Sequence, residues 1–572
     1  ASSGVFAAPA VVLPGADPAS SPRLPDGSTT NAVLSTTGGR GSGSKVGVLA
    51  LAGVALVAAA GIGAASSAWL ATAEPGGEHA ALAAAPMRRG GTLKIAEIGE
   101  PSTLDIPSTT AGLTTNLTLP VFEELFAFDA SWRIQPSLAS GYSVSKDGLT
   151  YTFTLRSNVP FHNGKIMTAD DVVASLNRWG KVSPYGAVPY KSVESVTAAG
   201  NTVVMKLTAP SAPLLAFLTF PVGAAAIMPK EVIDAAGTGP LKQFIGTGPY
   251  KFVEWAPDRY VHHTRFDQYA ARSEPGNGMA GRKDALADDL FYYPVSQVAT
   301  RLAGVQSGDY DIADQINTDA YAQLKQDPRV QPGVVPGTFL TFFFNKRQGV
   351  MTNEKLRQAV AVAMDMQPIM EATFGNPDLF TIDSSIYPKG TPWYTNAGGT
   401  WYNVHNTDQA KQLAKEAGYS GQPIRWLSTQ EYDYMFKSTV VASTQLKEAG
   451  FNVDLQVVEW ATLLDRRAKA DEWDMFVTSH SFVPDPSLIT VFSSAYPGWW
   501  DTQTKNALFA QFNAESDPKK RIQLWAKLQT LMYQEEPIVR PGGFSALLLS
   551  RRGLPGFQPS AWIVPWNVQA VK

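Results

Sequence analysis

The chain has 572 residues, enough for several packed cores, and 44% apolar against 17% charged residues is a globular mixture rather than a disordered one. With 47 Lys plus Arg against 50 Asp plus Glu the net charge is −3, so no broad basic field exists and nucleic acid is excluded as the expected partner. Cysteine is absent, which removes disulfides, thiolate metal sites and cysteine nucleophiles, and a single long uncharged run excludes a polytopic membrane protein.

Residues 1–45, rich in Ala, Ser, Gly, Pro and Thr without periodicity, read as a disordered leader. Arg40 and Lys45 precede an uncharged stretch at 46–73 whose centre runs VGVLALAGVALVAAAGIGAA. As a helix this centre would rise about 30 Å, enough to cross a bilayer. The triplet Ala71-Thr72-Ala73 suits signal-peptidase cleavage. A cleaved signal peptide and an uncleaved transmembrane anchor both fit, and either places the rest of the chain outside the cytoplasmic membrane. Residues 74–87 read as a linker.

The folded body opens with a strand expected over 91–98, followed by the turn EPSTLD. Residues 150–155 alternate, with Tyr151, Phe153 and Leu155 on one face, and 201–207 do so with Val203, Met205 and Leu207. The aromatic run 338–344 reads as a strand buried on both faces. Helices carry start signals. Thr168 with Asp171 caps one whose buried stripe is Val172, Leu176 and Trp179, and Asn353 caps another carrying Leu356, Val360 and Ala363. A third begins at Thr407 and stops at Gly418, and a fourth opens on Asp517-Pro518. Strands and helices interleave throughout, so the fold class is α/β or mixed α+β.

Catalytic chemistry is missing from this pattern. The six histidines make no metal-binding spacing, and His262 and His263 lie next to each other in an alternating strand, pointing to opposite faces. No nucleophile elbow and no phosphate loop occurs. The pairs Glu123-Glu124 and Asp170-Asp171 fit solvated or capping roles. Neither an enzyme, a cofactor nor a bound metal is expected.

Residues 151–178, YTFTLRSNVPFHNGKIMTADDVVASLNR, resemble the signature segment of the family 5 extracellular solute-binding proteins, the peptide, nickel and oligosaccharide receptors of ABC importers. RGGTLKIAEIGEPSTLD at 89–105, IGTGPYKFVEW at 245–255, VQSGDYDIA at 305–313 and FFFNKRQGVMTNEKLRQAVAVAMD at 342–365 are similar to further landmarks, in the family's order. So are TDQAKQLAKEAGY at 407–419, QLKEAGFNVDLQ at 445–456, PDP at 484–486, DPKKRIQLWAKLQTLMYQEEPIV at 517–539 and PWNV at 565–568. The resemblance covers about 89–572.

It implies a two-lobed periplasmic-binding-protein-like fold, type II in its large form with an extra subdomain, after one N-terminal hydrophobic helix. Lobe I would take 88–131, 236–336 and 540–572, the inserted subdomain 132–235 and lobe II 337–539, with crossings near Pro336 and Val539. The implied function is that of a periplasmic substrate-binding protein, exported through the N-terminal hydrophobic segment. It would capture a small organic solute, peptide-like or opine- or sugar-like, by closure of the lobes and deliver it to an ABC permease in the cytoplasmic membrane. The alternative is a membrane-anchored accessory subunit of a larger complex, tethered through 46–73.

In peptide-binding members the segment before PDP resembles W-x-x-D-x-x-D-P, and its first acid holds the ligand's amine. Here Phe482 stands at that position and Ser479 at the aromatic one, so a plain peptide with a free amine is disfavoured unless another acid substitutes, for which Glu100, in the turn after the first strand, is the candidate. The expected ligand contacts are Glu100, Ser102, Thr103 and Leu104 from lobe I and His480, Phe482, Trp499 and Trp500 from lobe II. Trp499 and Trp500 fit either lobe packing or a stacking platform, and Asp485 reads as a helix cap.

Overall fold

A computed structural model describes residues 88–571 of the chain. The expected leader at 1–45, hydrophobic segment at 46–73 and linker at 74–87 lie outside the described residues. Among the described residues no helix is long and apolar enough to cross a membrane.

The first strand is Thr92–Glu97, one residue shorter at each end than its sequence suggested. It lies between Asp289–Pro294 and Ile312–Ala313, parallel to both. Its neighbours belong to a 12-stranded sheet. On one side Tyr260–Arg265 and Tyr250–Ala256 extend the sheet in antiparallel fashion. On the other, Ile312–Ala313 pairs with Gly543–Arg551, which pairs with the long strand Val330–Phe344.

That long strand divides its partners. Its first half, Val330 to Pro336, pairs with Arg551 to Ser545, and its second half, Phe339 to Phe344, pairs with Met475–His480. The register breaks between Pro336 and Thr338, where proline has no N–H to give the ladder and Gly337 takes a φ of 148°. Beyond it, Ile424–Ser428 and Val453–Val457 complete the sheet. Residues Phe339 to Phe344 are buried on both faces, as the aromatic run predicts.

A separate four-stranded antiparallel sheet runs Ala139–Val144, Thr150–Leu155, Thr202–Leu207, Val193–Ala199. Tyr151, Phe153, Leu155, Val203, Met205 and Leu207 turn one apolar face to the helix Ala169–Val182. Val172, Leu176 and Trp179 of that helix fill the same core. Its start is a full capping box between Thr168 and Asp171. Asn353 and Asp517 cap their helices as expected, and the helix Thr407–Glu416 starts at the expected residue, with Asn406 as its cap.

The pair Glu123-Glu124 departs from its expected solvated role. Both are buried. Glu123 accepts from Tyr269, Thr247 and Lys283 at 2.9, 3.0 and 2.8 Å. Burial lifts the Glu124 carboxyl to about 8. No local pattern announces this, because the partners come from residues more than 120 positions away.

Candidate functional site

The turn after the first strand is built as a structural joint. Asp105, 1% exposed, receives a two-pronged ion pair from Arg178 at 3.0 and 2.7 Å. The same guanidinium donates to the carbonyls of Gly237 and Gly239, so one residue of the helix Ala169–Val182 fastens the turn to that helix and to the 237–239 segment. Glu97 and Asp314 end two adjacent parallel strands, with Asn116 donating weakly to both at 3.4 and 3.5 Å. Burial, then mutual repulsion, raises the Glu97 carboxyl, and burial lifts Asp314 to about 6. Asn116 accepts from the Ile563 N–H at 3.1 Å, tying these strand ends to the C-terminal segment.

That segment walls a cavity of about 580 Å³, within the range of small-molecule sites. Trp132, Arg282, Trp562, Lys389 and Thr391 line it, together with Val335 and Pro336 of the long strand. Trp132 sits at a φ of 60°, in a turn pinned by Asp129, whose carboxylate accepts the N–H groups of Ser131 and Arg133 at 2.8 and 2.9 Å. The turn presents the indole to Phe482, with ring centroids 4.1 Å apart, while Trp562 meets the indole edge-on at 5.6 Å. Phe482 also packs against Tyr387 at 5.8 Å, and a Cβ on Gly337 would meet it at 3.1 Å. The residue in the amine-anchor position is thus one ring of an aromatic bridge beside the register break.

The expected contacts are not brought to one place, and none of them lines the cavity. Glu100 is exposed and accepts from the Trp255 indole, beside a far smaller cavity of about 10 Å³. Ser102 is exposed. Thr103 is used within its own turn, its hydroxyl accepting from the Asp105 N–H at 3.0 Å. Leu104 packs in a core with Leu93 and Tyr250 instead of facing a cleft.

His480 pairs in register with Phe339, stacks on it at 5.1 Å and contacts the Thr490 hydroxyl through Nδ1 at 3.2 Å. Burial pushes its imidazole down to about 3, so it is neutral, and Nε2 has no partner. Trp499 and Trp500 belong to the packing reading. Arg347 lies over Trp499 at 4.3 Å, and the Trp500 indole donates to Glu535 at 2.6 Å. Gly498, before them, abuts Phe343 and Phe344. Those residues lie four or five positions along the long strand from Phe339, roughly 15 Å at strand rise. Asp485 caps Pro486–Leu488 and pairs with Arg521, a structural role.

Sequence reasoning missed Trp132, Lys389, Arg282 and Trp562. Trp566 and Asn567 had a signal, since both lie in the PWNV motif, and both line the cavity. The other four stand in no quoted motif.

The family model for bacterial extracellular solute-binding proteins, family 5 Middle, matches residues 133–500. The chain belongs to this family. A probable peptide ABC transporter periplasmic-binding protein, y4tO, from Sinorhizobium fredii (strain NBRC 101917 / NGR234) is 28% identical over 82% of this chain and 91% of its own. The binding protein AgaA of A. tumefaciens R10, solved with agropinic acid, is 25% identical, with a TM-score of 0.65 over 84% of this chain and 99% of its own. The ABC transporter substrate-binding protein CtaP of Listeria monocytogenes, 22% identical, has a TM-score of 0.73 over 84% of this chain and 98% of its own. The fold is therefore the two-lobed periplasmic-binding-protein fold, in its large form. Family 5 solute-binding proteins bind ligands for transport, and this chain is a binding protein rather than an enzyme.

Proposed function

We propose that this chain is the extracytoplasmic receptor of an ABC importer, which closes two lobes over a small organic solute and hands it to a membrane permease. The observation that carries the reading is the cavity of about 580 Å³ at the register break, lined by residues from before and after Pro336 along the chain. Lobe I comprises 88–131, 236–336 and 540–572, the inserted subdomain 132–235 and lobe II 337–539. The chain crosses between lobes at Pro336 and near Val539, and these crossings act as hinges. A ligand touching both sides favours the closed form because it binds that form better. Residues that line this cavity, Trp132, Arg282, Trp562 and Lys389 among them, make the contacts. Segment 46–73 serves export to the periplasm, as a cleaved signal or as a tether.

Two relatives bear on the solute: one is named a probable peptide ABC transporter periplasmic-binding protein, and the other was solved in complex with agropinic acid. Membership of a transport family favours the receptor over an accessory subunit. Calorimetric titration against peptide, opine and oligosaccharide libraries, with small-angle scattering of the full chain, tests the reading. A saturable hit accompanied by compaction is expected. Broad libraries that give neither would overturn it.

A further inference from the structure

The hydrogen-bonding groups around the cavity do not balance once their internal partners are counted. Among the described residues its lining holds four charged side chains: Asp129, Asp284, Arg282 and Lys389. Asp129 is 6% exposed, and its two oxygens accept from the Ser131 and Arg133 N–H groups and from Gln135 at 3.1 Å. Both Asp284 oxygens take the Arg282 Nε, at 3.1 and 2.9 Å. The carboxylates are therefore already engaged by the protein.

The donors are not. Lys389, also in the lining, makes no hydrogen bond or ion pair with the protein, and of the Arg282 guanidinium only Nε is engaged. The indole N–H groups of Trp132 and Trp562 are likewise unpaired. Trp566 lines the cavity at 1% exposure with its N–H buried and without a partner. A buried donor left unpaired is costly, so an acceptor on the ligand near the Trp566 N–H would relieve a deficit the protein leaves open.

Resting on the receptor reading, we infer that the ligand of this cavity is an organic anion: it presents a carboxylate or similar acceptor-rich group to Lys389 and Arg282, lays its body on Trp132 and Trp562, and carries no unpaired ammonium. An ammonium brought here would find both acids already accepting from protein donors and would lie near the Lys389 ammonium, so its desolvation is poorly compensated. The carboxylate gains charge-assisted hydrogen bonds instead.

The probes are Ala-Phe in four forms (free, N-acetylated, C-amidated, and both), together with glucuronate and glucose, titrated into the full chain. An amine-free acid, N-acetyl-Ala-Phe or glucuronate, is expected to bind about tenfold tighter than its amide or neutral counterpart. Lys389→Met with Arg282→Gln should cut that preference to less than about threefold. Both residues are partly exposed, so the variants are expected to fold, with unfolding midpoints as the check. The inference is overturned if the C-amidated peptide with its free amine binds as tightly, if the preference survives both substitutions, or if no acid probe binds. In those cases a library hit with compaction still upholds the receptor reading, whereas the lack of any hit removes both.

Discussion

Three histidines are held neutral inside the protein. Burial lowers His162 to about 4 and His263 and His480 to about 3, against about 6.5 in an unfolded chain. Below pH 6.5 the unfolded chain binds more protons at these sites than the native one. Their contribution to stability is therefore complete above pH 6.5 and is lost as pH falls toward 3. Glu124 has the opposite sign. Its folded value near 8 means stability that is complete below the unfolded carboxyl value of 4.5 and is lost as pH rises through 8. His263→Gln is expected to flatten the acid limb of the stability profile by up to about 1.4 kcal/mol per pH unit, and Glu124→Gln to flatten the limb between pH 5 and 8. Urea unfolding midpoints across pH 4 to 8 check both; variants running parallel to the parent profile would refute the assignment. The sequence contained these residues but not their burial. Glu124 looked solvated because its desolvation comes from distant segments, and His480 was noticed only through its place before PDP.

At the scale of elements, caps and periodicities were legible because they act over four residues or fewer. The capping box of Ala169–Val182 and the alternation of Thr150–Leu155 and Thr202–Leu207 appear where the pattern put them. The glycines of GTGPY have a more particular reason. A Cβ at Gly246 would lie 2.0 Å from the Val121 carbonyl oxygen, and one at Gly248 would lie 2.3 Å from that of Pro120. Here two backbones touch, and no side chain fits between them. Gly246→Ala is expected to destabilise by about 2 kcal/mol or more, whereas Gly375→Ala, with nothing within 4 Å of the added carbon, should show only the strain of its φ of 72°. Denaturant unfolding of the two variants makes the comparison, and equal losses would contradict the contact argument.

Across the whole molecule, the aromatic bridge joins segments 350 residues apart, Trp132 to Phe482. A ring pair of this kind is worth about 0.5–1.5 kcal/mol beyond its buried area. If it holds the lobes together, Phe482→Ala, which breaks the ring pair at a residue outside the cavity lining, lowers the closed population, weakening affinity for a library ligand by about two- to tenfold. The same variant should enlarge the radius of gyration of the unliganded chain. Unchanged affinity and dimensions would show that the bridge fills space without coupling the lobes.

By itself, the sequence determined that the chain is a mixed α/β binding protein of family 5, because strand alternation, helix caps and ordered landmark segments are local and survive 28% identity to a relative. Only the tertiary structure decided which groups face the cavity. Trp132, Lys389 and Trp562 meet there through a register break, a left-handed turn and a returning C-terminal segment. Such long-range closure leaves no trace in local spacing, since side chains far apart along the chain become neighbours only when burial brings their backbones together.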